Sequence, residues 1–158
     1  MIGVSDATTA SAHRPNPARV VPTSTYRLQI HEGFTYDDAA GHTEYLASLG
    51  VSHVYLSPVL QAAPGSTHGY DVLDHTRISE AAGGRGGFER LVAACRAAGL
   101  GIIVDVVPNH MAVPQPAHLN APFWSLLREG RRSPYAGWFD VDWVAEEAFV
   151  DLPALSPH

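Results

Sequence analysis

The stretch that most constrains the fold is GIIVDVVPNH, Gly101 to His110. Four of the five residues from Ile102 to Val106 are β-branched and apolar, and the fifth, Asp105, is a carboxylate. A near-continuous apolar run of this kind predicts a parallel strand buried on both faces. A carboxylate near its end needs a partner, because burying a bare charge is expensive. Pro108 has no N–H to donate and ends the ladder, so Asn109 and His110 fall in the loop just past the strand's carboxyl end. In α/β folds ligands bind at that edge. Local physics leaves two readings open: a binding edge, or a structural aspartate that pairs with an arginine ahead of a plain turn.

The preceding chain repeats the theme. Thr25 to Ile30 (TYRLQI) has strand propensity, and His31 to Gly33 break it. Thr35 can cap a helix over 36–49, with Asp38 completing an imperfect capping box. Ala39, Leu46 and Leu49 share its apolar face, and Gly50 suits its end. Val51 to Ser57 follows as a second strand, ended by Pro58. From Pro58 to Gly87 no period is visible, and a loop this long in a compact domain is usually functional or disordered. Phe88, Leu91, Val92, Cys95 and Ala98 then keep helical spacing, which puts Cys95 on the buried stripe. The order β-α-β-α-β predicts parallel strands with right-handed crossovers. Three strands do not distinguish a doubly wound sheet from the opening of a (β/α)8 barrel, which needs roughly 250 residues when complete.

After Met111 the pattern changes. Pro114, Pro116 and Pro122 interrupt the chain, a short helix spans 123–129 before Gly130, and an aromatic run follows from Tyr135 to Trp143. This is not a fourth βα unit; it reads as a subdomain inserted after the third strand. Residues 1–24, rich in Ala, Thr, Ser and Pro, read as a flexible tail without the apolar core of a secretory signal.

Charge narrows the chemistry. The net charge is −6, and all ten basic residues are arginine. With no lysine, a phosphate-loop lysine and a Schiff base are excluded, and the lack of clustered positive charge argues against nucleic acid and membrane surfaces. The lone Cys95 allows no internal disulfide and suggests a reducing, cytoplasmic setting. His68, His75, His110 and His118 lack the spacing that makes a zinc site persuasive, so no metal is expected. There is no G-x-S-x-G elbow and no dinucleotide fingerprint after a strand. Both long loops leave carboxyl ends of strands, so His68, Tyr70, Asp71, Asp74, His75, Asn109 and His110 are expected to converge. Polar groups around an exposed ring suit a sugar, whose face stacks while its hydroxyls are held.

DVVPNH (Asp105–His110) is similar to the first conserved region of the α-amylase superfamily, glycoside hydrolase family 13. STYRLQIHEGFTYDDA, YLSPVLQAAPGSTHGYDVLDHTRI and SPYAGWFDVDW resemble the trehalose-forming transglycosylases of that family, and the likeness runs over 23–143. The resemblance implies an α/β fold, the N-terminal part of a (β/α)8 TIM barrel: about three βα units over 25–112, then the start of an inserted domain over 113–158. It implies that Tyr70 stacks on the sugar at the cleaved subsite, with His68 and Asp71 on its rim and His110 bonded to the same sugar. Asp105 would pair with an arginine that organises the nucleophile's strand, and Asn109 would support the site without a calcium ion. The substrate implied is a maltooligosaccharide or α-1,4-glucan, whose reducing-end linkage becomes α,α-1,1, with no cofactor and with coupling to a trehalose-releasing hydrolase. The family's nucleophile, acid/base and stabilising carboxylates belong to barrel strands 4, 5 and 7. None of Asp71, Asp105, Asp140 or Asp142 matches them, so no catalytic residue is expected in this chain, which is expected to be an inactive fragment.

Overall fold

The computed structural model describes residues 21–143. The first twenty residues of the expected tail, and 144–158 of the segment assigned to an inserted domain, lie outside the described residues. Three strands, β1 (Thr25–Leu28), β2 (His53–Leu56) and β5 (Gly101–Val104), form a parallel sheet in the order β1-β2-β5. Their registers align Arg27 with Tyr55 and Tyr55 with Ile103. Alternation then sends Leu28, Val54 and Leu56 to one face, where they meet Leu91 and Cys95 of α3 (Gly84–Ala97) in the core. Each fully buried Leu or Val contributes roughly 1.5–3 kcal/mol relative to an exposed one.

The first crossover holds two short helices rather than one over 36–49: α1 (Tyr36–Ala40) and α2 (Thr43–Ser48), parted at Gly41 and His42. Thr35 caps α1 in a complete capping box, its hydroxyl oxygen accepting from the Asp38 N–H while Asp38 accepts from the Thr35 N–H. Ala39 and Leu46 are buried as expected, but Leu49, just past α2, is 55% exposed. Tyr36 is fully buried: its hydroxyl donates to the Val59 carbonyl at 3.0 Å, and its ring meets Phe88 edge-on at 5.6 Å. Asp37 receives a two-pronged Arg90 guanidinium at 2.7 Å, tying α1 to α3.

The region without a period is not one loop. It folds as an antiparallel hairpin, β3 (Leu60–Ala62) with β4 (Val72–Ile78), whose register shifts on both sides of Gln61. Helix α3 starts at Gly84, earlier than the apolar spacing suggested, and Gly87 in its first turn packs against Tyr36. The expectation that the third strand is buried on both faces also fails. Gly101–Val104 is half-buried and Val106 is 62% exposed, because β5 forms an edge of this sheet. Beyond it, Asn120 caps α4 (Ala121–Glu129) by accepting from the Phe123 N–H, and Gly130 closes the helix. No described helix is long and apolar enough to cross a membrane.

Candidate functional site

The sheet face opposite the helices carries the polar residues. By alternation it presents Arg27 and Gln29 from β1 and its extension, Tyr55 from β2, and Asp105 just past β5. The Asp105 N–H still bonds to the Leu56 carbonyl at 3.0 Å, so this residue continues the ladder and its side chain has a defined direction.

Asp105 is the hub. The Tyr70 hydroxyl donates to its Oδ2 at 2.5 Å, and the Tyr55 hydroxyl bonds to it as well. That bond to the carboxylate, with some burial, raises the Tyr55 phenol above its ordinary value, since losing the proton would set two negative charges together. Arg27 stands behind the phenol: its Nη2 donates to the Tyr70 oxygen at 3.3 Å, and its guanidinium lies 5.8 Å from the Tyr55 ring centroid. A second arm locks the same arginine, with Nη1 donating to Gln29 at 2.5 Å and Gln29 donating to the Thr67 carbonyl at 2.7 Å. The loop bearing Tyr70 is thus tied to β1 at one end and to β5 at the other.

His68, Tyr70, Asp71, Asn109 and His110 gather as the sequence suggested. The His110 Nε2 donates to the Tyr70 carbonyl at 3.2 Å, and its Nδ1 lies 3.1 Å from the Asn109 side-chain amide. The His68 ring stacks near the Tyr70 ring at 6.0 Å and 25°. Its Nδ1 accepts the Tyr70 N–H at 3.0 Å, so its separation of 3.8 Å from Asp71 is not a charged pair through that nitrogen. Asp71 accepts from the Ser66 hydroxyl. Tyr70 remains 38% exposed at the centre of this group.

Asp74 does not join them, and His75 does so only through the cleft it shares with Asn109 and His110. Asp74 turns back to accept from the Thr76 N–H and hydroxyl, at 2.8 and 2.6 Å, which holds its carboxyl below the usual range. His75 donates through Nε2 to the Val107 carbonyl at 2.8 Å and pins the hairpin to the segment after β5. It lines a cleft of about 620 Å³ together with Asn109, His110 and Trp138. Sequence reading missed Arg27, Gln29 and Tyr55 by treating them as strand filler. The signal that marks them is polarity at alternate positions of strands whose other face is wholly apolar. Among the described residues no three His, Cys, Asp or Glu side chains form a metal-binding group.

Residues 37–146 match the family model of the alpha amylase catalytic domain. A protein of Mycobacterium tuberculosis described as a putative maltooligosyl trehalose synthase is 50% identical over 137 residues, 84% of this chain and 18% of that protein. The solved maltooligosyltrehalose synthase of Arthrobacter ramosus shares 49% identity with a TM-score of 0.75, over 78% of this chain and 16% of its own. A malto-oligosyltrehalose trehalohydrolase of Rhizobium is 46% identical over 79 residues, 49% of this chain and 13% of its own. The chain therefore spans less than a fifth of the length of these relatives.

Proposed function

The chain belongs to the alpha-amylase family, and on that premise we propose that it is the amino-terminal portion of a maltooligosyl trehalose synthase. In this reading β1, β2 and β5 open a (β/α)8 barrel over 25–112, 113–158 begins an inserted domain, and the setting is cytoplasmic. The observation that carries the reading is the half-exposed Tyr70 ring, held by Asp105 and flanked by His68 and His110 at the carboxyl edge of the parallel sheet. Tyr70 offers its face to the pyranose at the cleaved bond, His110 bonds to the same sugar, and Asp71 and His68 shape the rim.

The reaction proposed for the polypeptide that carries these residues is an intramolecular transfer. A carboxylate attacks the anomeric carbon of the sugar next to the reducing end, while an acid gives its proton to the leaving glycosidic oxygen. The freed glucose returns its anomeric hydroxyl to the glycosyl–enzyme, the acid recovers its proton, and an α-1,4 bond has become α,α-1,1 without net water. Its product suits a trehalose-releasing hydrolase. The chain described here supplies binding groups only: Asp105 is committed to two phenols and Asp71 to Ser66. Alone, it binds maltooligosaccharide without converting it.

The test captures the native polypeptide with an antibody against residues 135–143 and supplies maltopentaose. Reducing ends are expected to disappear and trehalose to be released by added hydrolase. New reducing ends would make it a glucan hydrolase instead. For the isolated chain, turnover above a blank would refute the binding-only role.

A further inference from the structure

Asn120 is a polar side chain that is 1% exposed, and the stretch leading to it has prolines at 108, 114 and 116, none with an N–H to give. A buried amide is tolerated when both of its ends are bonded. Its Oδ1 accepts from the Phe123 N–H at 3.0 Å, and its Nδ2 donates to the Ala112 carbonyl at 2.8 Å. A backbone N–H only donates and a carbonyl only accepts, so the amide has one orientation. Capping α4 explains the oxygen alone, since serine, threonine or aspartate would cap as well. The nitrogen serves nothing in the helix.

That nitrogen belongs to the segment after β5. At one end of this segment His75 donates to the Val107 carbonyl at 2.8 Å. At the other end both backbone groups of Ala112 are gripped: its N–H donates to the Val72 carbonyl of β4 at 2.8 Å, and its carbonyl accepts from Asn120. Asn109 and His110 lie between these fixed points. His110, two residues before Ala112, donates through Nε2 to the Tyr70 carbonyl at 3.2 Å. A shift of Ala112 would therefore carry His110 away from Tyr70. Asn120 is too buried to meet a ligand itself and has both polar groups taken, so any effect it has on binding passes through Ala112.

We propose that Asn120 is a positioning residue for sugar binding: through the Ala112 carbonyl it couples the start of α4 to the loop of His110 and holds that histidine where it meets the sugar on Tyr70. The inference rests on the reading of this chain as a glucan binder. It adds a residue that affinity depends on without touching the ligand.

Calorimetric titration of the full chain with maltopentaose tests it. Asn120→Ser still caps α4 but has no second group for the Ala112 carbonyl, and affinity is expected to fall roughly two- to tenfold, the cost of ordering one side chain on binding. Gly130→Ala is the structural control: it strains the other end of α4, at φ +55°, and leaves the Ala112 bond intact. It should lower the urea midpoint yet bind within about twofold of the parent. Asn120→Asp supplies a pH profile. Ionised, as the helix N-terminus favours, its carboxylate accepts from Phe123 but repels the Ala112 carbonyl; protonated, it donates to that carbonyl again. Its affinity relative to the parent should be low near neutral pH and recover on acidification. No loss in Asn120→Ser, an equal loss in Gly130→Ala, or an Asn120→Asp deficit that ignores pH overturns the positioning role. If His110→Ala weakens binding and Asn120→Ser does not, the proposed function stands without it. A parent chain that shows no saturable binding overturns both.

Discussion

Gly65 and Gly69 lie in the loop that carries Tyr70 with almost the same backbone, φ +77° and +79°, and their alanine variants separate two costs. At either position an L side chain takes on a left-handed penalty of roughly 1–2 kcal/mol. At Gly65 an added Cβ meets nothing within 4 Å, so that penalty is the whole effect. At Gly69 the Cβ would lie 2.6 Å from the Pro58 carbonyl oxygen and 3.3 Å from the Pro58 Cβ. The carbonyl belongs to the backbone just beyond β2 and cannot swing away as a side-chain tip would. Forced packing of this sort adds roughly 1–3 kcal/mol. Gly65→Ala should therefore cost about 1–2 kcal/mol and Gly69→Ala about 2–5 kcal/mol. Urea unfolding reads both, as a lower midpoint at unchanged slope. The contact can be relieved only by moving the loop, and the Gly69 N–H is bonded to Ser66 at 3.1 Å with Tyr70 next in line. Maltopentaose affinity should fall in Gly69→Ala and hold in Gly65→Ala. Equal destabilisation, or equal affinity, would refute the reasoning.

Two further perturbations probe the polar face. Gly101→Ala places a Cβ 2.2 Å from the buried His53 ring and should cost about 1–3 kcal/mol; in a His53→Ala background the same change should be neutral or stabilising by about 0.4–1 kcal/mol, and a cycle without coupling defeats this account. Two phenols are held above their ordinary value, Tyr36 by burial and Tyr55 by Asp105, so the stability they contribute is complete below the unfolded value near 10 and is lost as pH rises through the folded ones. In phenolate absorbance Asp105→Asn should bring Tyr55 down toward its ordinary value and leave Tyr36 late; an unchanged titration counts against the Tyr55–Asp105 bond.

The elements legible in the sequence were those with one dominant signal. The β-branched run around Ile102 marked one of the parallel strands, and Leu91 with Cys95 marked the face of α3. The hairpin was hidden because its register slips on either side of Gln61, which erases the two-residue period that would reveal it. The single helix expected over 36–49 splits because Gly41 and His42 form the junction where α1 ends and α2 begins. Convergence at the site was correct where side chains point along the strand edge and wrong for Asp74, because an adjacent threonine offers a local partner that no long-range contact matches.

The placement of Asp105 explains why a half-exposed tyrosine can serve as a fixed platform. Packing alone would not fix a ring that keeps 38% of its surface in water. Ordering such a side chain costs roughly 0.5–1.5 kcal/mol, which a ligand would otherwise have to supply on binding. A hydrogen bond to a charged acceptor contributes about 1.5–3 kcal/mol, so the one from Tyr70 to Asp105 is enough to order the ring beforehand. Arg27 strengthens that bond by donating to the phenol oxygen, which makes its proton a better donor. The arrangement also selects a face. His68 lies along one side of the ring and leaves the other open. A carboxylate in a strand of isoleucine and valine is thus better understood as the anchor of that ring than as a reactive group, and Tyr70→Phe should keep the aromatic face yet bind sugar more weakly because the ring is no longer held.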